Sequence, residues 1–306
     1  MIHWADLTEV TTSFGIRLLF LIYKIFGRLP VLIILYPVIL WFYISNKVAR
    51  SASLDYLTHL YLYSNKTSPK PTPINVFRHL YAFGECILDK LIIWSGRLED
   101  LEYTLDGLEG FDTLVGENLG AVVVVSHLGN LDFCRAIARR YPNLNLTVLV
   151  HTTHAVKFNQ LLKSLNPESS LNIIQVSNFS MHDAMALSEK IQGGGLIAIA
   201  GDRVPLLWGN TVPVNFLGSL APLPLGPYIL AKTLKSPLFS LTSIKVNNRY
   251  QLNCKKISDW DKGGRVSSTD IANAAQAFAD VLEQGCLQSP FQWFNFYPFW
   301  QSVERD

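Results

Sequence analysis

A histidine and a nearby aspartate lie where they could carry out acid–base chemistry. His127 follows the five apolar residues Ala121–Val125, which predict a buried strand, and Asp132 comes five residues later. Imidazole can take up a proton near neutral pH, and a hydrogen-bonded carboxylate fixes its tautomer. The spacing therefore predicts that His127 is a general base oriented by Asp132. In the alternative interpretation, Asp132 only caps the next helix and His127 has no catalytic role.

The elements that would position these residues alternate along the chain from Gly120 onward. The predicted strands are Ala121–Val125, Leu144–His151, Asn172–Val176 and Gly195–Ala200, and the predicted helices are Asp132–Tyr141, His154–Leu165 and Met181–Gln192. This alternation predicts an α/β fold with a mainly parallel central sheet flanked by helices on both faces. Gly201-Asp202-Arg203 then occupies the same kind of position as His127, at the strand end where such sheets bind ligands.

The last third of the chain predicts further elements around this sheet. We expect strands at Thr211–Phe216 and Leu238–Lys245, a helix at Pro224–Leu234, and an antiparallel edge strand at Tyr250–Ile257. Ser267 and Asp270 have the spacing of a capping box, which predicts a final helix through Gln284. The aromatic tail that follows is typical of core packing.

The composition indicates contact with lipid and argues against nucleic acid. Of the 306 residues, 49% are apolar and only 16% charged, where about 25% charged is usual, and the mean hydropathy is +0.21. A net charge of +2 lacks the basic excess of a dedicated nucleic-acid binder. The four cysteines form no C-x-x-C pair, so we expect reduced thiols and no metal site.

Residues 1–50 are expected to form a membrane anchor. Leu29–Ile44 carries no charge, but its sixteen residues fall short of the roughly 20 that span a bilayer, and Pro30 and Pro37 would kink a helix. One bent or tilted spanning helix and a re-entrant or interfacial anchor both fit, with a buried hairpin of two helices as the alternative. A signal peptide fits poorly because no small-residue cleavage site follows. Flanking basic residues favour a cytoplasmic side.

Several motifs together resemble one family. Ser126–Asp132 resembles the H-x4-D/E motif of the lysophospholipid acyltransferase superfamily, and the order of parts resembles its bacterial lipid A biosynthesis (lauroyl/myristoyl) branch. Those parts are the N-terminal anchor, the motif strand, His154–Asn159, Gly201–Arg203, Val214–Gly218 leading into Pro222–Pro227, and Gln292–Asn295. The resemblance covers nearly the whole chain and makes residues 51–306 the acyltransferase domain.

The resemblance implies transfer of a fatty acyl chain from an acyl thioester to a hydroxyl of a glycolipid or lipid-like acceptor. The donor would be coenzyme A or an acyl carrier protein, used as co-substrate, with no resident cofactor and no metal. His127 would be the base and Asp132 its orienting acid. The backbone amides of Gly129 and Asn130, at a helix start, and the guanidinium of Arg203 would stabilise the oxyanion.

The same resemblance places other residues around the substrates and locates the protein. Asp202, His154 and Asn159 would line the site, and basic residues after the first two strands could meet the donor's phosphates or an acidic carrier protein. An Arg203–Asp202 structural ion pair is the alternative for Arg203. The family implies the bacterial inner membrane, with the catalytic domain on the cytoplasmic side.

Two other functions stay open at this level. Lipid A enzymes frequently carry Glu where this chain has Asp132, so the acceptor is not taken to be a lipid A precursor. A lipid esterase or thioesterase would use His127 to activate water, although the G-x-S-x-G motif of serine hydrolases does not occur. A membrane scaffold without activity is the third hypothesis.

Overall fold

The structure is a computed structural model that describes residues 13–104, 109–133, 145–150, 172–175, 181–204, 211–260 and 266–300. Its helices are α1 (Ser13–Phe26), α2 (Arg28–Ser45), α3 (Lys47–Tyr63), α4 (Pro73–Trp94), α5 (Glu109–Gly116), α6 (Met181–Gln192), α7 (Gly226–Thr233) and α8 (Ser268–Gln288). A short 3-10 turn, Leu98–Asp100, follows α4.

Nine strands form one large sheet and one hairpin. They are β1 (Tyr103–Thr104), β2 (Ala121–Val125), β3 (Leu146–Val150), β4 (Asn172–Gln175), β5 (Leu196–Ala200), β6 (Thr211–Phe216), β7 (Ser219–Pro224), β8 (Leu238–Val246) and β9 (Arg249–Ser258) within the described ranges. Seven of them make a sheet in the order β1-β9-β8-β2-β5-β3-β4, whereas β6 and β7 pair separately. Among the described strands of this sheet, the pairing of β8 with β9 is antiparallel and the other five pairings are parallel. The prediction of a mainly parallel sheet is confirmed.

Strand β2 is central, which explains its unbroken apolar sequence. All five of its residues pair with β5, and its middle three pair with β8. Val122 and Val124 pack on one face with residues of α6, α7 and α8, whereas Ala121, Val123 and Val125 pack on the other face with α4 and α5. A parallel strand that is covered on both faces needs apolar residues at every position.

Most element boundaries agree with the sequence, with small differences at the ends. The capping box is confirmed: Ser267 Oγ accepts from the Asp270 amide, and the Asp270 carboxylate accepts from the Ser267 amide. Pro224 was expected in a helix but ends β7, because the hairpin pairs it with Thr211. β9 is antiparallel as expected, although the two-residue β1 lies outside it. The predicted helices over 132–141 and 154–165 fall almost wholly outside the described residues.

The apolar N-terminus forms two helices that break at Gly27, whose φ is +78°. α2 is the one helix among the described residues that is long and apolar enough to cross a membrane. Val31, Leu35 and Ile39 are its only buried residues, and the last two contact Gly84 of α4. Large apolar side chains on its other faces are exposed, which is unlike a helix of a protein core.

A buried charge cluster joins the start of α2 to the sheet. Asp89 of α4 is fully buried, and its carboxylate accepts hydrogen bonds from Arg28, from Lys245 Nζ at 3.1 Å and from Tyr250 Oη at 2.7 Å. Three donors compensate the lost hydration of this carboxylate. The cluster therefore ties α2, α4, β8 and β9 together.

Candidate active site

The site begins where two neighbouring strands end in register. Val125 of β2 pairs with Ala200 of β5, so Ser126-His127 and Gly201-Asp202 leave the sheet side by side. Gly201 permits this approach, because a Cβ there would lie 2.3 Å from Val124 Cγ2. The parallel arrangement of β2 and β5 thus brings together residues that are 75 positions apart.

His127 and Asp202 form a tightly bonded pair. His127 Nδ1 lies 2.8 Å from Asp202 Oδ1, and the backbone N–H of His127 donates to Asp202 Oδ2 at 2.8 Å. The carboxylate is fully buried, whereas the imidazole is 30% exposed. With Nδ1 directed at the carboxylate, Nε2 is the nitrogen left to meet a substrate. This geometry suits a base that a buried acid orients.

The surroundings keep the acid ionised and the base neutral. Burial disfavours the Asp202 anion, but the His127 imidazole, the hydrogen bonds from His127 and the Arg203 charge outweigh it and hold the pKa of Asp202 below its usual value. Burial and the Arg203 guanidinium lower the pKa of His127 below 6.5, against the opposing effect of Asp202. At neutral pH His127 is therefore ready to accept a proton.

Arg203 lies beside this pair. Its charge acts on both His127 and Asp202, and its Nε donates to Asn295 Oδ1 at 3.4 Å. The carboxylate of Asp202 is directed at His127, and the Arg203 side chain reaches the C-terminal segment. The structure thus brings together His127, Asp202 and Arg203, three of the residues selected from the sequence.

The structure corrects the choice of orienting acid. His127 Nδ1 is bonded to Asp202, whereas Asp132 Oδ1 accepts from the Trp94 indole N–H at 2.7 Å and Asp132 Oδ2 lies 3.6 Å from Lys90 Nζ. Asp132 belongs to the loop that follows β2, and this loop turns towards α4. The strand adjacent to β2 supplies the acid instead, which spacing along the chain could not indicate.

The backbone amides expected to form an oxyanion hole are engaged by the protein itself. The Gly129 amide donates to Gln292 O at 2.8 Å, and the Asn130 amide donates to Ser243 O at 2.8 Å. Gly129 has φ +70°, and a Cβ there would lie 1.8 Å from Ser243 O. The loop that follows β2, here called the motif loop, therefore packs closely against β8. The Gly129 and Asn130 amides are directed into the protein rather than at a substrate.

The remaining predicted site residues, His154 and Asn159, lie outside the described residues, as do the basic residues expected to meet the donor. Three aromatic or amide side chains were missed as parts of the site: Trp94, Trp293 and Asn295. The sequence contains one signal for the last two, because Gln292–Asn295 belongs to the motif set that carries the family resemblance. Their contacts with Asp202 depend on a chain reversal that no local pattern predicts.

The fold and the site define an α/β protein with a candidate general base at the carboxyl edge of a parallel sheet. Within that class the chain belongs to the bacterial lipid A biosynthesis acyltransferase family, whose sequence profile matches residues 82–302. This confirms the resemblance that the motifs carry.

Two relatives are more specific in name. The chain is similar to the phosphatidylinositol mannoside acyltransferase of Mycobacterium tuberculosis, with 22% identity over 201 residues for strain ATCC 25618 / H37Rv and 21% for strain CDC 1551 / Oshkosh. The aligned part is 65% of this chain and spans 60% of the length of each relative.

Proposed function

We propose that this protein is a membrane-bound O-acyltransferase that moves a fatty acyl chain from an acyl thioester to a hydroxyl of a glycolipid or lipid-like acceptor. The observation that carries the proposal is the His127–Asp202 pair, in which an accessible neutral imidazole is bonded to a buried ionised carboxylate. Membership of the acyltransferase family supplies the reaction class.

In the proposed reaction, His127 Nε2 takes the proton of the acceptor hydroxyl while its oxygen attacks the thioester carbonyl carbon. The carbonyl π electrons move to oxygen, and the positive guanidinium of Arg203 stabilises this oxyanion. When the tetrahedral intermediate collapses, the C–S bond breaks and the thiolate takes the proton from His127. The products are the acylated acceptor and a free thiol, and no acyl-enzyme forms.

The two aspartates have different tasks in this proposal. Asp202 keeps the proton of the neutral imidazole on Nδ1 and stabilises the imidazolium that forms during the attack. Asp132 holds the loop after His127, because it accepts from Trp94 of α4. The H-x4-D spacing then serves the shape of the loop, and the base receives its acid from the neighbouring strand.

The substrates follow from the family and its relatives. The two similar mycobacterial proteins are named for a phosphatidylinositol mannoside, a lipid that bears sugar hydroxyls. We therefore propose a sugar hydroxyl of a membrane glycolipid as the acceptor. The thioester of coenzyme A or of an acyl carrier protein is the donor, and the thiol of either is the leaving group.

The proposed location is the cytoplasmic face of the bacterial inner membrane. α2 is apolar and largely exposed, and the exposed Trp41 near its end suits the interface of a bilayer. Lys24 is exposed near the end of α1, where it would meet anionic headgroups, whereas Arg28 is paired with Asp89. The acceptor and the anchor would then share one lipid surface.

Lipid mass spectrometry tests this function whatever the chemical identity of the acceptor. A host that expresses the wild-type protein is expected to contain a lipid heavier by one acyl chain, and a host with His127→Ala is expected to lack it. Purified protein supplied with palmitoyl-coenzyme A should release thiol faster when the form of that lipid without the extra acyl chain is added as acceptor. Fatty acid release that no lipid accelerates, with no acylated product, would favour the hydrolase instead.

A further inference from the structure

The C-terminal segment Gln292–Tyr297 runs directly against the loop that follows β2. The Phe294 amide donates to His127 O at 2.9 Å, and the Gly129 amide donates to Gln292 O at 2.8 Å. These two bonds make a short antiparallel pairing centred on Leu128 and Trp293. The peptide groups on both sides of Leu128 are thereby fixed by a segment more than 160 residues away.

The same segment also holds Asp202 through side chains. Trp293 Nε1 donates to Asp202 Oδ2 at 3.2 Å, while Asn295 Nδ2 and Tyr297 Oη donate to the Asp202 carbonyl at 3.0 and 3.3 Å. The carboxylate is fully buried, so its charge depends on such donors. Oδ1 faces the imidazole, whereas Oδ2 is shared by the indole and the His127 amide.

Trp293 is itself fixed by a second buried histidine. His79 Nε2 lies 2.9 Å from the Trp293 carbonyl, and His79 Nδ1 lies 2.8 Å from Ser53 Oγ. Burial lowers the pKa of His79 to about 4, so the ring is neutral at pH 7. A carbonyl can only accept, so Nε2 carries the proton and Nδ1 accepts from the serine hydroxyl.

Aromatic packing holds the indole in one orientation. Trp293 is fully buried, and the rings of Tyr56, Phe216, Phe299 and Trp300 surround it with centroid distances of 5.0–5.8 Å. A close-packed ring of this size does not rotate freely. The indole N–H is therefore a preorganised donor towards Asp202.

We infer that Gln292–Tyr297 is a positioning element of the acyl-transfer site and that Trp293 is its principal positioning residue, acting on His127 through Asp202. This rests on the proposed function for its consequence in catalysis. The indole N–H holds Oδ2, so that Oδ1 stays directed at His127 Nδ1. The aromatic tail, which the sequence predicts to pack in the core, would then also position the side chain of Asp202.

The bond has an electrostatic consequence that packing alone would not produce. The indole N–H takes part of the negative charge of the carboxylate, because hydrogen bonds to an anion stabilise it. Without this donor, more of the charge acts on the imidazole and favours its protonation. The basicity of His127 should therefore report on the Trp293 donor.

A wild-type titration tests the contact directly. Full-length protein labelled with ¹⁵N in histidine and tryptophan, in detergent micelles, is followed by NMR as the pH is lowered. The Trp293 indole signal is expected to shift with the same midpoint as the His127 imidazole. The Trp300 indole donates to Phe216 O and its ring stacks on His59, so any shift of its signal should follow the higher pKa of His59 and not the His127 midpoint. An unchanged Trp293 signal would overturn the inference.

Matched variants test the effect on the base. Trp293→Phe keeps a ring but removes the donor, and is expected to raise the His127 midpoint by about half a pH unit or more. Trp300→Phe removes a buried indole of the same size and should leave the midpoint unchanged. Equal midpoints in the two variants would contradict a positioning role. If Trp293→Phe does not fold, the wild-type titration still decides.

The outcome is separable from that of the proposed function. His127→Ala with undiminished acyl transfer would refute the function and leave the NMR result intact. An inactive His127→Ala together with an unshifted Trp293 signal would refute only the inference. If both the proposed function and this inference are upheld, Trp293→Phe is expected to lower kcat more than it raises KM for palmitoyl-coenzyme A, because Trp293 acts on the base.

Discussion

At the scale of residues, His127 and Asp202 differ in their exposure to solvent, and this difference fits the separate roles proposed for them. The imidazole reaches the surface, where a hydroxyl can approach, while the carboxylate is buried and surrounded by donors. A buried anion near a partly exposed base is a frequent arrangement at functional sites, because burial perturbs pKa values in useful directions. Asp132 also accepts a hydrogen bond, but from the Trp94 indole, and it lies near Lys90.

The two aspartates can be separated by matched substitutions. Asp202→Asn removes the charge that orients and stabilises the imidazolium, and should lower kcat/KM by roughly 10²–10⁴. Asp132→Asn keeps an acceptor for the Trp94 indole and should cost about tenfold or less. The measurement is acyl transfer from palmitoyl-coenzyme A to the unacylated precursor of the lipid identified by mass spectrometry. A larger loss for Asp132→Asn would return the orienting role to that residue.

The pH dependence of the reaction follows from the lowered pKa of His127. The base must be neutral, so kcat/KM falls as the pH drops through the pKa of His127 in the folded protein. Burial and Arg203 place that pKa below 6.5, so activity should persist below pH 6.5. Arg203→Gln removes a positive charge that lowers the pKa of His127, so the acidic limb of the profile should move to higher pH. Arg249→Gln, at an exposed position, serves as the control.

At the scale of elements, the close contact between the motif loop and β8 depends on Gly129. Its positive φ and the proximity of Ser243 O leave no room for a side chain. Because the loop packs against β8 and the C-terminal segment, the amides of Gly129 and Asn130 donate within the protein and are not available to a ligand. The oxyanion therefore needs a side-chain donor, which is why Arg203 carries that role in the proposed reaction.

Substitution of Gly129 should damage the fold more than most glycine substitutions. Gly129→Ala places a Cβ against a backbone oxygen and forces a positive φ on alanine, which should cost about 2–4 kcal/mol. Gly116→Ala, where nothing lies within 4 Å of the new Cβ, is the control and should change stability little. Thermal unfolding in detergent measures both. Equal melting temperatures would contradict the docking of the loop.

The Asp89 cluster provides a second test at this scale. Asp89→Leu removes the anion that compensates the half-buried cations Arg28 and Lys245, and leaves Arg28 with Glu85 at 3.8 Å as its carboxylate. We expect a loss of about 3–5 kcal/mol in the free energy of unfolding, measured with chemical denaturant. Glu99→Gln, an exposed carboxylate in the turn after α4, should leave the free energy nearly unchanged.

At the scale of the whole molecule, α4 connects the apolar N-terminus to the candidate site. Its 22 residues span roughly 33 Å. Gly84 contacts α2, Asp89 binds Arg28, His79 supports Trp293, and Trp94 binds Asp132. A lipid surface that held α2 would thus be mechanically linked to the loop that carries His127.

The exposed face of α2 can be tested for membrane binding. Ile33→Lys combined with Leu40→Lys puts two charges on side chains that are 63% and 50% exposed. Flotation with anionic phospholipid vesicles should show at least a tenfold loss of bound protein, since charges in the hydrocarbon region are costly. Met185→Lys, similarly exposed on α6, is the matched control. Unchanged flotation of the double variant would argue against an anchor in α2.

Local periodicity and residue types were sufficient to predict the strands β2 to β5, the helix α6, the burial of β2 and the capping box, and they selected His127 as a candidate. These features depend on interactions over a few positions, which a sequence displays directly. The same patterns also placed Asp202 and Arg203 at a second strand end. The identity of the acid that bonds to His127 emerged only from the fold, because it depends on β5 being the neighbour of β2.

The use of the motif amides and the task of the aromatic tail likewise depend on the three-dimensional arrangement. Gly129 and Asn130 look like open donors in the sequence, yet β8 and the C-terminal segment accept both of their amides. The sequence predicts that Trp293 is a core residue, and the structure confirms that it is buried. Its indole N–H also donates a hydrogen bond to Asp202. Such contacts join residues far apart in the chain, where no spacing rule applies and only packing sets the partners.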